Sequence, residues 1–183
     1  MYPQPSGQQT ATVLASGGGT PVVVDVVLVA ATVLTGLAVG VIALYAHTIM
    51  PGLKKTDDRT FVGAFQSIDR AIINPWFMLT FFGALILIGV AAVLHFDADR
   101  RSALPWLVAA FVLYLVGVII TMAVNVPLNE AIKAAGDPNH IDVARVRAAF
   151  HESRWAAWNY VRLVTSLAAF VILAGVLTMT RRG

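Results

Sequence analysis

The 183-residue chain contains no cysteine. That absence excludes disulfides, thiolate metal sites, iron–sulfur clusters and a cysteine nucleophile. Charge is scarce as well. Only 13% of residues are Asp, Glu, Lys or Arg, gathered in a few short stretches, and the net charge is +3. No dense basic run occurs, so no nucleic acid partner is expected. No GxSxG marks a nucleophile, and glycine-rich phosphate loops, dinucleotide fingerprints and haem-attachment motifs are missing. HxxxH, ExxH and HxH are absent too, so no local spacing supplies the three or four His or carboxylate ligands of a metal site. A metal gathered from separate elements stays open.

What the chain has instead is apolar surface. Hydrophobic residues make up 58% of it and the mean hydropathy is +0.76, far beyond an ordinary soluble domain. This composition predicts an all-α integral membrane four-helix bundle with helical loop segments packed on one side, a multi-pass protein of the cell membrane. Residues 1–20 are rich in Gly, Pro, Ser and Gln and carry no charged side chain, and read as a flexible tail before a domain at 21–183. The tail lacks a basic n-region and the apolar run behind it is long, so the first span is expected to remain in the mature protein.

Spans are expected at about 21–46, 75–95, 104–125 and 160–180. Gly36 and Gly40 form a GxxxG pair in the first, suited to a close helix neighbour. Met50-Pro51-Gly52 should end that helix. Residues 53–74 read as an interfacial amphipathic helix with Phe61, Phe65, Ile68 and Ile72 on one face, capped by Asp57 or Asp58. Asn74-Pro75 supplies a cap and first-turn proline for the second span, and Ser102 with Pro105 should begin the third. Pro127 is expected to kink or end that third helix. A last helix should start near Asn139 and Asp142 and run unbroken to Thr180, about 40 residues or roughly 60 Å. Its first half would hold Arg145, Arg147, Glu152 and Arg154 in water.

Four spans put residues 51–74 and 126–160 on one side. That side carries Lys54, Lys55, Arg59, Arg70, Lys133, Arg145, Arg147 and Arg154, against Arg100, Arg101, Arg181 and Arg182 on the other. The excess weakly favours larger loops facing the cytoplasm.

The most informative stretch is His151–Arg162, HESRWAAWNYVR, where a polar helix turns into a membrane helix. On one continuous helix, Ala144, Ala148, His151, Trp155, Trp158, Asn159, Arg162 and Ser166 share a face. Each polar residue alone has an ordinary role: indoles anchor at the interface, Arg162 snorkels, and Asn159 caps a backbone group. Anchoring does not require convergence, however, and polar groups at membrane depth mark a site by default. Asn125 and Asn129, four apart beside Pro127, suit either a helix terminus or a lined cavity. Packing of the two larger loops would gather His47, Gln66, Asp69, Asn125, Asn129, His151, Trp155, Asn159 and Arg162 around one mouth. His95 would lie at the opposite end, and His140 in a solvated turn. Such an apolar, aromatic-lined mouth could bind a flat lipophilic molecule, deprotonate it and hold the anion.

The stretches YAHTIMPGL (45–53), DDRTFVGAFQSIDRAIINPWF (57–77), NVPLN (125–129) and RWAAWNYVR (154–162) resemble the bacterial branch of a small four-span family that includes the anthrone oxygenases. The resemblance implies a membrane oxygenase that converts an anthrone-like phenolic polyketide to its quinone. O2 would be co-substrate and no added organic cofactor is implied. Laid on the helix face, that chemistry makes His151 the base, with Asn159 and Arg162 stabilising the enolate. Trp155 and Trp158 would stack on the rings, His47 and Gln66 would be supporting donors, and Asn125 and Asn129 would line the pocket. No family motif fixes these roles. The competing reading is a non-catalytic membrane protein that uses the same mouth to bind a membrane lipid or a partner protein. Either reading leaves room for a homo-oligomer.

Overall fold

The computed structural model describes residues 21–96 and 98–180, without the side chains of 21, 97–100 and 180. The expected N-terminal tail lies outside the described residues. Eight α-helices follow in order: α1 (Pro21–Leu44), α2 (Met50–Leu53), α3 (Asp58–Ile72), α4 (Pro75–Leu94), α5 (Leu104–Ile120), α6 (Val126–Ala134), α7 (Val143–Phe150) and α8 (Glu152–Thr180). Among the described residues, four helical stretches are long and apolar enough to cross a membrane. Helix α1 packs on α4 and α8, and α5 packs on the same two, closing a four-helix ring. Helices α3, α6 and α7 pack on one another at one end of it as a cap. The protein is an all-α, multi-pass membrane bundle with its helical loop segments on one side.

The starts of several helices follow directly from side-chain chemistry. Asn74 accepts from the Phe77 backbone N–H at 3.0 Å with Pro75 in the first turn, and Asp57 caps α3 through the Thr60 N–H at 3.0 Å. Asp142 caps α7 through the Arg145 N–H, also at 3.0 Å. Ser102 does not cap α5. It lies in a 3-10 turn, Ala98–Ala103, and Ala103 flanks the helix without a side-chain cap.

Neither Pro51, expected to end its helix, nor Pro127, expected to kink or end its own, terminates the helix it sits in. A proline at position i lacks an N–H and its ring crowds the carbonyl at i−4, here His47 and Ala123. A π turn precedes each of them, Tyr45–Ile49 before Pro51 and Thr121–Asn125 before Pro127. The wider turn moves that carbonyl off the ring, so both helices continue. The first runs Val22–Leu53 over 32 residues and the third Arg101–Ala134 over 34. Both therefore carry side chains out of the bundle into the cap.

The long final helix is the opposite correction. It is broken at His151, whose backbone is left-handed at φ 54 and ψ 58. The chain turns there between α7 and α8. Arg147 is not simply solvated in front of that turn. Its guanidinium donates to Glu152 at 2.6 Å, Asp58 at 3.1 Å and the Thr56 carbonyl at 2.8 Å, and lies 4.3 Å from the centre of the Phe61 ring. One cation thus ties the α2–α3 loop to the α7–α8 corner.

Three packed clusters result, one in the bundle, one in the cap, and a small one of Val39, Ile42, Ala46 and Leu163 between the first helix and α8. The bundle interior includes Leu28, Phe81, Ile88, Leu107, Tyr114 and Leu173. In lipid it gains from close packing rather than from leaving water, as at Gly36, where an added Cβ would lie 2.9 Å from Phe170 of α8. A Cβ added at Gly40, its GxxxG partner, would meet nothing within 4 Å among the described residues. The cap interior is aromatic: Phe61, Phe65, Phe150 and Trp155 pack with centroids 4.6–6.3 Å apart.

Candidate functional site

Between bundle and cap lies a cavity of about 240 Å³. Its floor is the α8 face bearing Trp155, Asn159 and Arg162, spaced four and three apart and therefore aligned on one helix side. Phe77, Phe81 and Phe82 of α4 form an aromatic wall. Both π turns contribute to the lining, one through Tyr45 and the other through Thr121, Met122 and Asn125. Such bulges reset the helical register and recur at functional positions. Asp69 of α3 and Asn129 and Glu130 of α6 close the cap end.

The buried amides are anchored by one atom each. Asn159 Nδ2 donates to the Ile42 carbonyl at 3.3 Å, just ahead of the first π turn, and Asn125 Nδ2 donates to the Trp155 carbonyl at 3.4 Å. Asn125 Oδ1 is buried without a partner among the described residues. Arg162 is more unusual. It is buried, no carboxylate lies within ion-pair distance of it among the described residues, and its Nε has no hydrogen-bond partner there. Tyr45 and Tyr114 are its electrostatic neighbours. The Tyr114 hydroxyl is committed to the Phe81 carbonyl at 3.0 Å. A buried guanidinium with no counter-ion costs several kcal/mol. An anionic ligand in the cavity would offset that cost.

At the cap end the polar groups are instead paired with one another, with Asp69 Oδ2 buried in an ion pair but without a hydrogen-bond partner among the described residues. The Trp155 indole N–H donates to Asn129 Oδ1 at 2.7 Å, and Asn129 Nδ2 donates to Asp69 Oδ1 at 2.7 Å. Lys133 Nζ sits 2.8 Å from Asp69 Oδ2 and 2.7 Å from Glu130 Oε1. The chain of contacts runs from Trp155 on the cavity floor to the exposed Glu130.

Six of the residues singled out from sequence therefore meet here: Asp69, Asn125, Asn129, Trp155, Asn159 and Arg162. Four do not. His151 is exposed at the α7–α8 corner, because the break there ends the common face that linked it to Trp155. Trp158 points out of the bundle and is exposed. His47 is exposed beside Tyr160, with ring centroids 5.9 Å apart. Gln66 is buried, but its amide donates to the Ile132 and Gly136 carbonyls at 2.8 and 3.0 Å, clasping the end of α6. His95 is buried at the far end of α4, with Nδ1 2.7 Å from the Ala91 carbonyl, and His140 is exposed. Among the described residues, no three His, Cys, Asp or Glu side chains cluster as a metal site. The aromatic wall was not readable from sequence. Phe77, Phe81 and Phe82 lie in a span apolar on all sides, where periodicity singles out no face.

The family model described as anthrone oxygenase matches residues 77–172, just over half of the chain. No curated protein and no solved structure matches it. The matched region holds the α4 wall, Asn125, Asn129 and the whole α8 floor, while Tyr45 and Asp69 precede it. On that match, the protein belongs to the anthrone oxygenase family.

Proposed function

We propose that this protein is a membrane oxygenase of the anthrone oxygenase type, oxidising a lipophilic phenolic, polyketide-like substrate with O2 and without an added organic cofactor. The observation that carries the reading is Arg162, a buried cation without a counter-ion among the described residues, in an aromatic-lined cavity. Removing a proton from the methylene carbon of an anthrone leaves an enolate whose charge rests on the oxygen. Arg162 pairs with that oxygen, Asn159 and Asn125 offer further polar contacts, and the phenylalanine wall takes the rings. The electron-rich carbon then gives up electrons to O2 and bonds to it, forming a hydroperoxide once protonated. Loss of water leaves the second carbonyl, so one CH2 and one O2 become one C=O and one H2O. The cavity of about 240 Å³ is near the lower end of ligand pockets, roughly 300–1,000 Å³, which suits a compact flat molecule better than a diacyl lipid. The Lys and Arg excess of the cap side further suggests that the cap faces the cytoplasm.

The test is O2 uptake with quinone absorbance, by purified protein given a simple anthrone, for wild type and Arg162→Met. The variant should lose about 10²–10³-fold in kcat/KM, the usual effect of removing one donor to a developing oxyanion. Its melting temperature in detergent should hold or rise, because an uncompensated buried charge has been removed. Equal turnover by the variant would sink the assigned role of Arg162. No uptake by wild type above spontaneous oxidation would favour the lipid- or partner-binding reading.

A further inference from the structure

We infer that Asp69 is the proton acceptor of this cavity, held in place by Lys133 and Asn129 and connected to water through Glu130. The inference rests on the proposed function, since it names the group that makes the enolate which Arg162 holds.

The imidazoles do not reach the cavity: His47, His140 and His151 are exposed outside it and His95 is buried at the other end of α4. The carboxylates on the cavity wall are Asp69 and Glu130. Glu130 is exposed, whereas Asp69 is buried on the inner face of α3. A base must be fixed as well as near. Asn129 holds Asp69 Oδ1 at 2.7 Å and Lys133 holds Oδ2 at 2.8 Å. An ionised carboxylate has about four acceptor positions, so this pinning leaves room for a substrate proton. A structural ion pair alone would not need to stand on the cavity wall.

Electrostatics give the pair of ends opposite tasks. A carboxylate is a weak base toward carbon unless the resulting anion is stabilised as it forms. Arg162 lies across the cavity floor, and Tyr45 stands within electrostatic reach of both groups. The charged and titratable groups facing Asp69 are Lys133 and Glu130 of α6, Tyr45 of the first π turn and Arg162 of α8, while Arg70 on its own helix is exposed. In the step itself, the substrate C–H bond breaks and its electron pair moves onto the carbonyl oxygen beside Arg162. The proton goes to an Asp69 oxygen. It then leaves to water at the Lys133–Glu130 edge, or returns to the peroxide. No oxidant takes part in this half of the reaction.

The half-reaction can be read without O2. The full chain in lipid nanodiscs is given anthrone in D2O under argon, and deuterium entry at the methylene carbon is followed by mass spectrometry against the protein-free rate. Wild type should accelerate exchange. Asp69→Asn should cut the accelerated part by about 100-fold or more with anthrone still bound in equilibrium dialysis, and Asp69→Glu should restore part of it. Lys133→Gln should move the acidic limb of the rate–pH profile to higher pH, because the cation that favours the charged carboxylate is gone. An ordinary structural bridge would not move that limb. Undiminished exchange in Asp69→Asn overturns the inference and leaves the oxygenase reading standing. If Asp69→Asn does not accumulate, an unmoved limb in Lys133→Gln overturns it instead. Absence of both exchange and uptake in wild type removes the oxygenase reading itself.

Discussion

Arg162 and His151 are both polar residues on the same stretch of sequence, yet the fold gives them opposite environments. Arg162 lies about three helical turns past the corner and is carried into the interior by α8. His151 is the corner. An L-residue in the left-handed region costs about 1–2 kcal/mol, and glycine is free of that cost. His151→Gly should therefore leave the melting temperature in detergent unchanged or higher, with turnover within twofold of wild type. A tenfold loss of turnover at unchanged stability would return the imidazole to the reaction. Asp57 gives a second lesson at this scale. Its hydrogen bonds to Thr60 hold the carboxyl below its usual range. The folded value is depressed, so its capping contribution is present above the unfolded value and fades as pH falls through the folded one. The first turn of α3 should thus lose amide-exchange protection only in acid, and Asp57→Asn should blunt that pH dependence.

Among the elements, the two π turns and the α5–α8 contact decide where the site forms. Each π turn precedes a proline and lets its helix continue, so Tyr45 and Asn125 arrive at the cavity rather than at frayed ends. Helix α5 lies close to α8 at Gly117, where an added Cβ would sit 3.0 Å from Ser166 Oγ, 3.5 Å from Thr165 Oγ1 and 3.9 Å from the Arg162 carbonyl. Overpacking of this kind costs about 1–3 kcal/mol. Gly117→Val should lower the melting temperature and turnover together by displacing the turn that bears Arg162. Gly40→Val, where nothing among the described residues lies within 4 Å, should do neither. Equal behaviour of the two variants would separate α5–α8 spacing from the site.

Over the whole molecule, the cavity exists because a water-side cap is fastened over a lipid-side bundle. Arg147 is a main fastening, partly buried and bonded to Asp58, Glu152 and the Thr56 and Lys54 carbonyls. Hydrogen bonds to charged groups contribute about 1.5–3 kcal/mol each, not additively. Arg147→Ala should open the cap to limited proteolysis in the 54–58 loop while the four spans stay inserted, and turnover should fall with it. Unchanged protease resistance would show that the aromatic packing of Phe61, Phe65, Phe150 and Trp155 holds the cap alone.

The sequence by itself determined the membrane bundle, the number of spans and the cap at Asn74, and it narrowed the α3 cap to Asp57 or Asp58 and the start of α7 to Asn139 and Asp142, because hydropathy and side-chain–backbone bonding act over a few residues. It also marked the α8 face, since Trp155, Asn159 and Arg162 lie within two turns of one helix. Tertiary structure decided the rest. Whether a proline ends a helix or is absorbed by a π turn depends on the packing that holds the wider turn. The left-handed corner at His151 likewise depends on α7 docking against α3 and α6. Asp69, Tyr45 and the α4 phenylalanines become parts of one site only through contacts between residues tens of positions apart, and no local pattern records those.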